Sequence, residues 1–101
     1  MIQRRGVEGP PVSYLADGVW PDGELVADAP PAARYVAHIA RQLRAALEGH
    51  TLSELSRRAD VNRSTIQDLL AGRFWPDVVT LAKLEQALGA TLWPHSPDDL
   101  A

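Results

Sequence analysis

The stretch that decides the fold runs from residue 51 to residue 72 and reads TLSELSRRADVNRSTIQDLLAG. Apolar residues recur in it at helical spacing in two blocks with a polar gap between them. The blocks consist of Leu52, Leu55 and Ala59, and of Ile66, Leu69 and Leu70. Because both apolar stripes need burial, we predict two short helices that share one core.

The ends of these two helices carry capping residues. Thr51, followed three residues later by Glu54, is typical of a capping box, in which the hydroxyl accepts a backbone N–H and the carboxylate reaches back to the cap amide. Asp60 stands where the chain must reverse, and aspartate tolerates the left-handed backbone region. Asn62 is then placed to cap the second helix. Two helices joined so tightly form a helix-turn-helix.

This segment resembles the helix-turn-helix of the Cro/C1-type (XRE-like) bacterial and phage repressors over residues 33–93. The residues that carry the resemblance are Glu54–Leu55, Val61, Ser64–Thr65–Ile66, Leu69, Ala71–Gly72–Arg73, Pro76–Asp77, Thr80–Leu81, Leu84 and Ala87–Leu88–Gly89. Two departures are Leu52, where the family commonly has a phosphate-binding glutamine, and Asp60, which replaces the turn glycine. The resemblance implies an all-α, compact four- to five-helix fold like that of lambda repressor.

The rest of the chain is organised around this motif. A length of 101 residues with 46% hydrophobic content suits one domain, and we place a helical DNA-binding domain at 30–94. Its first helix is expected to start at Asp28, with Pro30–Pro31 in its first turn, and to run to about Glu48. Its last helix is expected to be capped by Asp77, and residues 95–101 form a flexible acidic tail. Several apolar positions should face inward, namely Leu55, Ile66, Leu69, Val78, Leu81, Leu84 and Leu88.

Residues 1–29 form an N-terminal extension of different character, rich in glycine and proline. Asp17–Gly18 and the Pro-Asp-Gly run at 21–23 are turn signals. A small β-hairpin and a mobile arm are both compatible with them, because two short strands alone are marginal in water. The apolar residues of the extension are expected to cover the core or to meet a second subunit; they are Tyr14, Leu15, Val19 and Trp20.

The net charge of −3 is unevenly distributed along the chain. Residues 1–33 carry two arginines against five acidic residues, and two aspartates follow Pro94. The part between them has eight basic and six acidic residues, and four of the eight bases lie between positions 57 and 73. This mild basic patch predicts modest affinity for a generic polyanion.

Catalytic and metal-binding patterns are not recognisable in the sequence. His38, His50 and His95 share no metal-ligand spacing, and the chain has no cysteine. It also has neither a glycine-rich phosphate loop nor a nucleophile elbow. We therefore expect no enzyme activity, no cofactor and no metal. No apolar run approaches the roughly 18 residues of a membrane span, so we expect a soluble, cytoplasmic protein with no membrane partner.

The second helix of the motif is where base recognition is expected, because the major groove admits one helix whose N-terminal residues meet base edges. Its exposed positions are Arg63, Ser64, Gln67 and Asp68, which the resemblance also places at base-reading positions. Arginine suits guanine, glutamine suits adenine, and a carboxylate suits the amino group of cytosine. Backbone phosphates are expected to meet Arg73 and the amides at the capped helix end near Thr51.

These observations predict a sequence-specific transcriptional regulator of the repressor type that binds double-stranded DNA. The alternative is a protein-interaction module, such as an antitoxin whose residues 1–29 bind a partner, and an extension that folds only on a partner would favour it. One recognition helix reads few base pairs, so we expect a homodimer. Its interface would use the apolar residues of the extension, or else these fold back on their own domain and the contact uses Leu92 and Trp93.

Overall fold

The computed structural model describes residues 9–100, which form four α-helices and a two-stranded antiparallel hairpin. The hairpin precedes the helices, and short 3-10 turns lie at Pro11–Tyr14 and Pro97–Leu100. The strands are β1 (Leu15–Asp17) and β2 (Glu24–Leu25), and the helices are α1 (Pro31–Ala46), α2 (Leu52–Ala59), α3 (Arg63–Leu70) and α4 (Val78–Leu88). The predicted four-helix architecture and the hairpin are confirmed. Within this part of the chain no helix is both long and apolar enough to cross a membrane.

Each helix buries one face in a single core. The fully buried large side chains of the helices are Ile39, Leu43, Ile66, Leu69 and Leu84. Of the six leucine and isoleucine positions predicted to be buried, only Leu88 lies at the edge of the core and is half-buried.

Val78 was predicted to face inward, and that prediction is wrong because its side chain is 76% exposed. Successive residues of a helix are about 100° apart, so Val78 lies roughly 90° from the centre of the buried face that Leu81, Leu84 and Leu88 define.

Helix α1 begins later and ends earlier than the sequence indicated. Its N-cap is Pro30, whose ψ of 144° is extended, and Asp28 makes no capping bond. The physical reason is Pro31, since a proline disfavours helical geometry in the residue before it. The helix ends at Ala46 rather than Glu48, with Gly49 at a φ of +83°.

The turn between α2 and α3 is closed by a residue in the left-handed region, as predicted. Asp60 has a φ of 58°, and the Ser56 hydroxyl donates a 2.6 Å hydrogen bond to the carbonyl of Val61 across the turn. Asn62 occupies the N-cap position of α3, but its side chain makes no capping hydrogen bond. That part of the prediction is wrong. The residue is exposed, so water can satisfy the first N–H groups of α3 instead.

The predicted capping box at the start of α2 is present. The Thr51 hydroxyl accepts from the Glu54 amide at 3.0 Å, and the Glu54 carboxylate accepts from the Thr51 amide at 3.0 Å. The hydrogen bond from the Thr51 backbone is the main reason that the pKa of Glu54 is lowered from its ordinary value. Asp77 caps α4 in the same way by accepting from the Thr80 amide.

The capping box makes a prediction about acid sensitivity. Because the pKa of Glu54 is lower in the folded chain than its ordinary value of 4.5, its carboxylate contributes stability above that pH and loses the contribution as pH falls through the folded pKa. We expect Glu54→Gln to be less stable than the parent near neutral pH and to approach it at an acidic pH below the folded pKa of Glu54. Urea denaturation of both proteins at the two pH values measures this, and a difference independent of pH would contradict it.

The hairpin and its flanking residues pack on the protein's own helices. Arg44 of α1 holds Asp22 through two hydrogen bonds of 2.9 and 3.0 Å, which lower the pKa of Asp22. Arg41 donates to the carbonyl of Pro21 at 3.0 Å. The described part of the extension, residues 9–29, is therefore attached to α1.

The same segment also contacts the linker between α3 and α4. The Val12 amide donates to the carbonyl of Gly72 at 2.9 Å, and the Trp75 indole donates to the carbonyl of Gly9 at 2.9 Å. Trp20 packs on Gly72 and the core. This arrangement agrees with the alternative in which the apolar residues of the extension fold back on their own domain, although Val19 remains 79% exposed.

The segment after α4 folds back onto the core. Leu92 is fully buried, and its amide donates to the Glu85 carboxylate at 2.7 Å. Trp93 lies against Tyr35 with ring centroids 5.4 Å apart. The acidic residues that follow form the 3-10 turn at Pro97–Leu100 beside α1.

Candidate nucleic-acid interface

Helix α3 presents a polar face to solvent because its apolar face is used by the core. Ile66 and Leu69 are 0% exposed, and α3 contacts both α1 and α2. Arg63, Ser64 and Gln67 are exposed on the opposite side. Three of the four predicted base-reading residues therefore lie together on one accessible helix surface.

The N-terminal end of α3 carries no negative group of its own. Asn62 makes no side-chain cap, and the first turn holds no acidic residue. The amides of that turn and the partial positive charge of the helix end therefore add to the charge of Arg63. This end of α3 is suited to an anion such as a DNA phosphate.

Arg63 is held by a residue that the sequence analysis did not identify. Its guanidinium donates a 2.8 Å hydrogen bond to the hydroxyl of Ser53, in the first turn of α2. The contact joins two helices, so the spacing along either one gives no signal for it. A bond of this kind restricts the directions in which Arg63 can point.

Two predicted site residues are brought together as an ion pair. The Arg73 guanidinium lies 2.9 Å from the Asp68 carboxylate, and the two side chains are 64% and 44% exposed. The backbone supports the pairing, because Gly72 has a φ of +70° and the Arg73 amide donates to the carbonyl of Asp68. With the bond from the Gly72 amide to Leu69, this is a Schellman ending of the helix.

Arg63 and Arg73 consequently mark opposite ends of the same helix. Helix α3 has eight residues, which correspond to about 12 Å. Arg63 is paired with a neutral hydroxyl, whereas Arg73 is paired with a carboxylate. In the free protein the positive charge of Arg73 is therefore balanced by its partner, whereas the positive charge of Arg63 is not.

The comparison with protein families identifies the class of this domain. The model described as Helix-turn-helix matches residues 41–92, just over half of the chain. The chain belongs to the XRE-type helix-turn-helix family. The match includes α2, α3 and α4 with Leu92, and residues 9–29 lie outside it. Family membership makes this chain a DNA-binding transcriptional regulator.

Two other comparisons were made. No curated protein matches the chain. The crystal structure of the restriction-modification controller protein C.AhdI from Aeromonas hydrophila is similar, with 23% sequence identity and a TM-score of 0.47. The similarity covers 69% of this chain and 96% of that chain.

The predicted phosphate position near Thr51 has a feature that is unusual for an anion site. In this helix-turn-helix, the capping box engages the amides of Thr51 and Glu54, and it places the Glu54 carboxylate at the same helix end. Two exposed arginines, Arg57 and Arg58, lie in the last turn of α2.

Within residues 9–100, no group of three His, Cys, Asp or Glu side chains is arranged to hold a metal ion.

Proposed function

We propose that this helix-turn-helix protein is a sequence-specific repressor that reads the major groove with α3. The observation that carries the proposal is the outer face of α3, where Arg63, Ser64 and Gln67 are exposed while the opposite face is fixed in the core. A helix anchored in this way can present the same side chains to successive base edges. The protein acts in the cytoplasm on double-stranded DNA and needs no cofactor.

Each exposed side chain on α3 is assigned a role by its chemistry. Arg63 reads guanine through the O6 and N7 acceptors, Gln67 reads adenine, and Ser64 adapts to either base. The bond from Arg63 to Ser53 supports this assignment, because it orients the guanidinium before DNA arrives. Ser53 therefore acts as a positioning residue for Arg63.

Asp68 and Arg73 are assigned linked roles. In the free protein the two side chains bind each other. When a backbone phosphate takes Arg73, the carboxylate of Asp68 becomes available to accept from the amino group of cytosine. Arg73 contributes contacts that position the protein without selecting sequence. At the helix end near Thr51, the amides of Leu52 and Ser53 are the ones that the capping box leaves for a phosphate.

Removal of either arginine at the ends of α3 should impair DNA binding, but in different ways. Arg63→Ala is expected to lose about 1–3 kcal/mol of binding on the preferred site and to relax the base preference there. Arg73→Ala should weaken binding to all sequences similarly and make the salt dependence shallower by about one unit. Titration of preferred and random duplexes at several salt concentrations measures both effects.

Two further variants make this comparison specific. Arg34→Ala removes the same charge from an exposed position of α1, outside the helix-turn-helix, and should leave base preference unchanged. Ser53→Ala should relax the same preference as Arg63→Ala, but by less, because it removes only the orienting hydroxyl. Equal weakening of preferred and random DNA by Arg63→Ala and Arg73→Ala would contradict the role of Arg63 as a base reader.

The proposal as a whole is tested by selecting bound duplexes from a random library with the purified full chain. We expect an enriched site that contains guanine and adenine at the positions facing Arg63 and Gln67. If no sequence is enriched among the bound duplexes, the proposal that the protein recognises a specific DNA sequence is wrong. Repression is then tested by placing the enriched site between a promoter and a reporter gene, where the protein should lower expression.

The alternative function is a protein-interaction module, such as an antitoxin that binds its partner through residues 1–29. The packing of residues 9–29 on α1 and on the α3–α4 linker favours the regulator. A segment that is already folded on its own domain does not need a partner to order it.

We also propose that the protein acts as a homodimer, because two copies of α3 could reach successive major-groove faces about 34 Å apart.

A further inference from the structure

The peptide unit between Gly72 and Arg73 is fixed from two sides. Its N–H, which belongs to Arg73, donates to the carbonyl of Asp68 in the last turn of α3 at 2.9 Å. Its carbonyl, which belongs to Gly72, accepts from the amide of Val12 at 2.9 Å. Both hydrogen-bonding groups of this peptide are therefore occupied. The bond from Val12 comes from the N-terminal extension, outside the residues that the family model matches.

Two tryptophans hold the linker before and after Arg73. The indole of Trp20, between the two strands of the hairpin, lies so close to Gly72 that a Cβ would not fit there without displacing it. Two residues beyond Arg73, the Trp75 indole donates to the carbonyl of Gly9 at 2.9 Å. The side chain of Arg73 itself is exposed. The extension thus fixes the backbone on both sides of Arg73 and leaves its side chain accessible.

The extension is in turn attached to α1. Asp22 accepts two hydrogen bonds from Arg44, and the carbonyl of Pro21 accepts one from Arg41. Helix α3 also packs on α1. The recognition helix and the linker that carries Arg73 are therefore positioned on the same helix by two separate routes, one through the core and one through the extension.

The contact of Trp20 with the linker is made by its ring and not by its N–H. The indole N–H is buried and has no hydrogen-bond partner among residues 9–100. A buried donor without a partner costs free energy, so the packing of the ring on Gly72 and on the core has to outweigh that cost. The shape of the ring, rather than its polar group, is what holds the linker.

We infer that residues 9–29 are a positioning element for DNA binding, which holds the linker so that Arg73 meets a backbone phosphate while Arg63 meets its base. The inference rests on the proposed function, because it uses the roles given there to the two arginines. Phosphate contacts set the register of a protein on the duplex. Both contacts form together only if the linker keeps a constant place relative to α3. Trp20 is half-buried and acts through Arg73.

The first test compares Trp20→Ala with its conservative control, Trp20→Phe. We expect Trp20→Ala to weaken preferred and random duplexes alike, by about 3- to 10-fold, and to make the salt dependence shallower by about the same one unit as Arg73→Ala. Trp20→Phe keeps a ring against Gly72 and should keep the affinity and the salt dependence of the parent. Full-length variants are titrated at a temperature where circular dichroism shows all of them to be folded.

A double-mutant cycle separates positioning from a general loss of stability. In the Arg73→Ala background, Trp20→Ala should cause no further loss of affinity, because the side chain that it positions is gone. In the Arg63→Ala background the whole loss should remain. A smaller folded fraction would instead lower the affinity by the same factor in both backgrounds and leave the salt dependence unchanged.

Hydrogen exchange tests the positioning without DNA. In Trp20→Ala, the amide of Arg73 should exchange at least about 10-fold faster than in the parent, because the end of α3 opens locally. The amide of Gly89 is the internal control, since it bonds the carbonyl of Glu85 at the end of α4 and should keep its rate. If Trp20→Ala does not fold, Trp75→Phe decides: it removes the bond to Gly9, keeps a ring, and should show the same changes to a smaller extent.

Three results would overturn the inference. They are an unchanged salt dependence in Trp20→Ala, additive losses of affinity from Trp20→Ala and Arg73→Ala, and an unchanged exchange rate of the Arg73 amide. Failure of the proposed function gives a different result, namely a parent that binds no DNA or an Arg73→Ala variant with the salt dependence of the parent. Exchange at Arg73 would then still decide whether the extension fixes the linker.

Discussion

Gly72→Ala should destabilise the protein by roughly 2–5 kcal/mol, which combines the cost of a left-handed backbone for a residue with a side chain and the cost of overpacking. Gly72 has a φ of +70°, and a Cβ built there would lie 2.5 Å from Cε2 of Trp20. The methyl group must therefore displace the indole from its place against the linker. Urea denaturation followed by circular dichroism measures the loss.

Gly89→Ala is the matched control for this substitution. Gly89 also ends a helix with a positive φ, +63°, but a Cβ built there meets nothing within 4 Å. We expect it to cost only the backbone part, about 1–2 kcal/mol. The double variant Trp20→Ala with Gly72→Ala should cost less than the sum of the single changes, because the collision is removed. Equal costs for Gly72→Ala and Gly89→Ala would show that Trp20 does not press on the linker.

Ile66→Ala is the second large effect that we expect, about 2–4 kcal/mol of lost stability, from lost contacts and a residual cavity. The side chain is 0% exposed and belongs to the core that α1, α2 and α4 share with α3. Such a loss is a large fraction of the 5–15 kcal/mol by which a domain is typically stable. Denaturant unfolding of the full chain at neutral pH gives the value.

The control for Ile66→Ala is Val79→Ala, which removes methyl groups from a side chain that is 62% exposed. It should change the stability of the monomer by less than about 0.5 kcal/mol, so the comparison is made below the dimerisation concentration. The two variants also differ in what they leave intact. Ile66→Ala should keep its base preference while folded, because its side chain lies on the face of α3 opposite Arg63 and Gln67. A cost below about 1 kcal/mol would place Ile66 outside the packed core.

Local sequence signals predicted those parts of the fold that local chemistry controls. The Thr51–Glu54 box, the left-handed Asp60 and the Asp77 cap each involve residues within a few positions of one another, and each is present. Asn62 shows the limit of such signals. Its type and position suit a cap, yet the exposed start of α3 has water as a competing partner, so the side-chain bond is absent.

The pairing of site residues could not be predicted, because it depends on how the elements meet. Arg63 contacts Ser53 on another helix, and Asp68 contacts Arg73 only because the chain turns at Gly72. Helical spacing identifies which residues of α3 are exposed but gives no information on their partners. The position of the hairpin could not be predicted for the same reason, because the bond between Arg44 and Asp22 joins residues 22 positions apart.

The contact between Trp20 and Gly72 has a consequence for how such sequences can diverge. Elsewhere in this chain Asp60 adopts the left-handed conformation at a φ of 58°, so aspartate or asparagine can end a helix where there is room for the side chain. At position 72 the indole occupies that room. Relatives that lack the hairpin should therefore accept asparagine at this position, whereas relatives that keep an aromatic residue at position 20 should retain glycine. The two positions should accordingly covary in an alignment of homologues.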